Sequence, residues 1–97
     1  MTPIGKITWR KRAHVEGRVS AIRSAHSNST PTVEVEIWDE TGGVTLQFLG
    51  RREIAGLEVG ATLRAEGMVG ESEGSLTILN PSYEIVVCII ENYSNYS

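Results

Sequence analysis

The sequence holds a single cysteine, two histidines, three prolines and one phenylalanine in 97 residues. One cysteine closes no internal disulfide, and with two histidines it falls short of a four-ligand zinc site. No apolar run approaches the roughly 18 residues of a membrane-spanning helix. The start, Met1-Thr2-Pro3-Ile4-Gly5-Lys6, lacks the apolar stretch of a secretory signal. A disulfide scaffold and a helical membrane protein are thereby excluded, and a cytoplasmic chain is expected. Nucleophile–base pairs, metal sets and phosphate-cradling glycine loops are missing too, so neither an enzyme nor a cofactor is expected.

What is present is 40% hydrophobic and 22% charged, the balance of a globular chain. A single domain of this length buries only about 60–65% of its unfolded surface, so its core must be continuous. The net charge of −3 is unevenly distributed. Residues 1–23 carry six lysines and arginines against the one carboxylate of Glu16, whereas residues 24–97 carry three arginines against eleven carboxylates. An acidic total argues against binding by bulk charge alone, while the basic first quarter still allows a local phosphate-facing patch.

Apolar residues alternate with period two along most of the chain, as in half-buried strands. Strand 1, Ala13 to Arg23, sets Val15, Val19 and Ala21 on one face, with Arg18, Ser20 and Ile22 on the other. Residues Ser24 to Pro31 read as an exposed loop. Strand 2, Thr32 to Asp39, turns Val33, Val35 and Ile37 inward and Glu34, Glu36 and Trp38 outward. A Glu40-Thr41-Gly42-Gly43 turn leads to strand 3, Val44 to Leu49, with Val44, Leu46 and Phe48 inward. Residues 50–60 read as a short helical plug carrying Ile54 and Leu57. Strand 4, Ala61 to Gly70, and strand 5, from Leu76 and broken at Asn80-Pro81, complete the set. Gly17 and Gly67 at inward positions mark bends that let five strands close into a barrel.

Three strands, a short plug and two more strands, with bends in strands 1 and 4, is the order of the all-β, five-stranded Greek-key OB barrel. Specific residues carry the same likeness. Ala13-His14-Val15-Glu16-Gly17-Arg18-Val19 resembles the xVxGxV opening of OB domains grouped with anticodon-binding and helicase-wedge modules. Asp39-Glu40-Thr41-Gly42 resembles their D-x-T-G hairpin, and Asn80-Pro81-Ser82-Tyr83-Glu84 their NPxYE ending. Phe48 to Leu57 is similar to a stretch of small stand-alone bacterial OB proteins described as nucleic-acid binders. The resemblance spans residues 7–86 and implies a barrel at 13–86; a basic arm is expected at 1–12, and an extension that departs from the resemblance at 87–97.

It also implies a non-catalytic module for single-stranded DNA or RNA with little sequence choice, bound across the outer face of strands 2 and 3. Such binding needs cations for phosphates and flat side chains for bases. Trp9, Arg10, Lys11 and Arg12 would contact one end of the strand. Arg18, Trp38 and Gln47 would line the groove, and Arg23, Arg51 and Arg52 would hold phosphates. Glu34 and Glu36 share that face and oppose a polyanion. They keep a second expectation open: a protein-interaction module that docks a partner or a second copy through the acidic face or the apolar strip Ile85-Val86-Val87-Cys88-Ile89-Ile90.

Overall fold

The computed structural model describes residues 1–27 and 29–86. The expected extension at 87–97, with Cys88 and the apolar strip beyond Val86, lies outside the described residues. Within them the strands are β1 (Arg12–Ser27), β2 (Thr30–Asp39), β3 (Gly42–Leu49), β4 (Thr62–Ser72), β5 (Ser75–Leu79) and β6 (Ser82–Val86). The hydrogen-bonded order β1-β2-β3-β5-β4 closes because β4 also pairs with β1. The β3–β5 contact is parallel and the others are antiparallel. β6 continues the line of β5 beyond Asn80-Pro81 and pairs with β4. A proline cannot donate to the ladder, so the break falls where the sequence leads one to expect it.

Closure rests on β1 having two partners. Arg12 to Arg18 pairs with β4, and Arg18 to Ser27 pairs with β2. The bend between the halves passes Gly17, where a Cβ would lie 2.8 Å from the Trp38 carbonyl oxygen. Only glycine lets the two backbones approach so closely. The alternating apolar residues meet inside: Val15, Val19, Val33, Val35, Ile37, Leu46, Leu63, Val69 and Ile78 are almost wholly buried, joined by Val44, Phe48, Ala65 and Ile4. Each fully buried Val, Leu or Ile side chain contributes about 1.5–3 kcal/mol.

Three local expectations change. A β-bulge between Val19 and Ala21 leaves Ser20 as the extra residue, and an extra residue inverts the alternation after it. Ile22 therefore stands opposite inward Val35, and Ala21 opposite outward Glu36. The serine-rich segment is strand rather than loop, for β1 and β2 stay paired out to Ser27↔Thr30. The plug keeps its place but not its helical form. Ile54 is buried and Leu57 packs on the core, yet the segment is two turns, with Gly56 at φ +80 and Gly60 at φ +96. Those positive φ values lie outside the right-handed helical region. Among the described residues the helical turn is instead a 3-10 turn at Ile4–Lys6, ahead of the barrel.

Candidate nucleic-acid interface

The registers of β1, β2 and β3 stack the outward residues into three rungs: Arg18↔Trp38↔Gly43, Ala21↔Glu36↔Thr45 and Arg23↔Glu34↔Gln47. Directly paired residues share a face, so four sequence candidates, Arg18, Arg23, Trp38 and Gln47, come together on one patch. Trp38 stays 48% exposed although its ring rests on the sheet. A Cβ at Gly43 would lie 2.5 Å from Cε2 and 2.7 Å from Cδ2 of Trp38, so the indole lies over the bare glycine backbone. Gly43, read from the sequence only as a turn residue, is the floor on which the indole lies. A doublet of glycines after D-x-T was the available signal, since a turn needs fewer.

Glu34, Glu36 and Arg23 on this face are engaged by neighbouring side chains. Ser20 Oγ, brought over by the bulge, donates to Glu36 Oε1 at 2.8 Å. Hydrogen bonding from Ser20, then from the Trp38 side chain, lowers the Glu36 pKa below the usual carboxylate value, with Arg23 adding a smaller attraction. Arg23 Nε lies 3.8 Å from Glu34, and Gln47 Nε2 donates to Glu34 at 3.4 Å. Among the described residues Arg18 forms no ion pair.

Beside Trp38 a cavity of about 360 Å³ is lined by Glu36, Gly43 and Thr45 on the sheet and by Ile4, Ile7 and Leu76 at the barrel's end. The N-terminal segment forms that wall because Asp39 latches it. Asp39 Oδ2 accepts from the Ile4 N–H at 2.8 Å, while Oδ1 accepts from the Thr41 N–H at 2.7 Å and the Gly42 N–H at 3.1 Å. These donors, Ile4 foremost and then the Thr41 hydroxyl, lower the Asp39 pKa to about 2. The Gly5 N–H donates to Thr41 Oγ1 at 2.7 Å. The D-x-T-G residues thus fasten the chain's start to the β2–β3 turn.

The other candidates lie apart from the patch. Arg10 stacks on the half-exposed Trp9 ring, 4.3 Å from its centroid, which occupies one face of that indole. Backbone bonds Arg10 N–H to Val69 O and Val69 N–H to Lys11 O pin this stretch to β4. Trp9 follows the cavity-lining Ile7 by two residues, a span of at most about 7 Å. Arg12 pairs with Glu66 at 3.3 Å on a different wall. Arg51 and Arg52 sit in the turns after β3; Arg52 lines a groove with Ile22, Val33 and Ile54, on the inward side of the β1–β2 hairpin. Among the described residues no three His, Cys, Asp or Glu side chains gather as metal ligands would, and no helix is long and apolar enough to cross a membrane.

No protein-family model matches the chain, and no curated protein matches it. Among solved structures, the NMR structure of a replication factor A related protein from Methanobacterium thermoautotrophicum superposes with a TM-score of 0.65. The two are 18% identical over 89% of this chain and 90% of that one. A backbone shared over nearly the full length of both, together with the closed five-strand ring, shows that this chain has the OB fold.

Proposed function

We propose that the protein is a non-catalytic, cytoplasmic module that binds single-stranded nucleic acid, with the outer face of β1, β2 and β3 as its groove. The reading is carried by the Trp38 indole, held flat over Gly43 and half exposed, with Arg18 beside it in no ion pair among the described residues. A base stacked on such a ring contributes roughly 1–3 kcal/mol, and a neighbouring guanidinium takes the adjoining phosphate. Gln47 and Arg23 extend the groove along the sheet, and Trp9, Arg10 and Lys11 receive the strand where it leaves past Ile7. Arg12, Arg51 and Arg52 lie off this path and add long-range attraction only. The replication-related neighbour supports the reading as a protein of the same fold.

A second reading, docking of a basic protein segment, is favoured by one observation. Glu34 and Glu73 both line a notch between the β1–β2 hairpin and the β4–β5 turn. The two readings separate in one titration. A fluorescent oligo(dT) is expected to bind at low salt, weakening with a log–log slope of about 0.7 per phosphate contacted. Changing Arg10, Lys11 and Arg18 together to glutamate should abolish that binding. Absence of binding by the native chain at low salt would overturn the nucleic-acid reading and leave the acidic notch as the candidate.

A further inference from the structure

Glu36 is an unexpected neighbour for a groove that takes a polyanion. A carboxylate repels phosphates, yet it is also an acceptor-only group with about four lone-pair sites. Here it is held in place and kept ionised. The bulge exists at Ser20, whose hydroxyl donates to Oε1 at 2.8 Å, and hydrogen bonding from Ser20 and Trp38 lowers its pKa. The same carboxylate borders the cavity of about 360 Å³ beside the indole, within the range of about 300–1,000 Å³ usual for small-ligand sites. Trp38 lines that cavity together with apolar Ile7 and Leu76 and the anionic Glu36.

The bases differ in what they offer such an edge. Guanine presents two adjacent donors, N1–H and the N2 amino group, which match the two oxygens of a carboxylate. Adenine and cytosine each present an amino group beside a ring nitrogen that only accepts. Thymine and uracil present one N–H between two carbonyl oxygens. In each of these a lone pair would face the carboxylate, leaving a desolvated acceptor without a partner.

We propose that the cavity bounded by Trp38, Glu36 and Leu76 is a guanine site, in which the base stacks on the indole and donates N1–H and N2–H to the Glu36 carboxylate. The site rests on the single-strand reading above and sharpens it, giving an otherwise tolerant groove one position that selects its base. The carboxylate that weakens the grip on phosphates thereby supplies the selection.

The test compares fluorescent oligo(dT) of about ten nucleotides with the same strand carrying one central guanine, adenine or hypoxanthine, on the native chain and on Glu36→Gln. The guanine strand should bind roughly 10-fold or more tighter than the others, as a bidentate pair allows. Hypoxanthine, which lacks the N2 amino group, should fall between guanine and thymine. Glu36→Gln replaces one acceptor with a donor and should move the preference to adenine, whose N1 and N6 match an amide. Circular dichroism of the variant checks that the barrel is intact. If all strands bind alike, the guanine site is wrong and the groove stands; a guanine preference that survives Glu36→Gln also overturns the site. If no strand binds at all, the groove itself fails.

Discussion

One strand, β1, supplies both outer walls of the barrel, and the two differ in which of their groups already have partners. Its second half builds the wall with β2 and β3; its first half builds the wall with β4 and β6, in the rungs His14↔Glu66↔Ser82 and Glu16↔Arg64↔Glu84. Both walls mix charges, with two arginines and two glutamates on the first and two arginines and three glutamates on the second. On the second wall both arginines are engaged: Arg12 with Glu66 at 3.3 Å, and Arg64 with Glu16 at 2.7 Å and Glu84 at 3.8 Å. Its aromatic residue, Tyr83, turns inward and meets Phe48 edge to face at 5.3 Å. The first wall has an indole outside, an arginine in no ion pair among the described residues, and a cavity more than twice as large, about 360 against 160 Å³. Counting charges does not tell a binding wall from a structural one. Whether each charge already has a partner, and whether an aromatic ring lies open, does.

The largest effect on this contrast should come from Gly17, which backs both walls. Gly17→Ala places a methyl 2.8 Å from the Trp38 carbonyl oxygen and 3.0 Å from its nitrogen, so two backbones must part. Overpacking of this kind costs about 1–3 kcal/mol, which thermal denaturation should register as a fall of roughly 4–8 °C per kcal/mol. Gly43→Ala is the informative partner. The three atoms nearest its methyl all belong to the Trp38 ring, a side chain that can swing aside. The melting temperature should barely move, while oligonucleotide affinity drops by about 1–3 kcal/mol, as for Trp38→Ala. Native affinity in Gly43→Ala would show that the indole need not lie flat.

The contrast between the walls was only half legible in the sequence. Alternation identifies strands because side chains on a pleat point to opposite faces, and so it placed Val33, Val35 and Ile37 inside and Trp38 outside, as found. Alternation does not announce a bulge. Ser20 is a small polar residue in a strand of small polar residues, and nothing local marks it as the one left over, so strict alternation puts Ile22 on the wrong face. The Gly42-Gly43 pair has two explanations, turn freedom and room for a ring, and only the cross-strand register to Trp38 selects between them. The basic run Trp9 to Arg12 illustrates the same limit. Neighbours in sequence part company in space, with Arg10 on Trp9 and Arg12 on Glu66.

Acid should act on the first wall through Asp39. The Asp39 pKa is lowered to about 2 from an ordinary 3.8 by donors that include the Ile4 N–H. A depressed carboxyl contributes stability that is fully present above its unfolded value and is lost as pH falls toward its folded one. Between pH 4 and 2 the N-terminal strap should therefore loosen, opening the cavity wall at Ile4 and Ile7. Asp39→Asn cannot accept at both oxygens, and is expected to be less stable at neutral pH and to show a shallower acid loss. Equal acid slopes for native and variant, followed by chemical denaturation, would show that the latch contributes nothing.

The smallest effect belongs to the second wall. Arg64 bridges Glu16 and Glu84, and Glu16 chiefly raises the pKa of its guanidinium. The group is nonetheless substantially exposed, and exposed pairs gain little over their hydrated, separated state. Arg64→Met keeps most of the apolar stem and removes the charge. Denaturation at low salt should show a slight loss of stability that shrinks as salt screens the pair, and oligonucleotide affinity should not change. A loss of affinity matching that of Trp38→Ala would exchange the roles of the two walls. Because Arg64 already has two carboxylate partners, a phosphate arriving there would have to displace both, whereas Arg18 forms no ion pair among the described residues. That difference in what must be given up, more than any difference in net charge, is the ground on which we propose the wall of Trp38 for the strand.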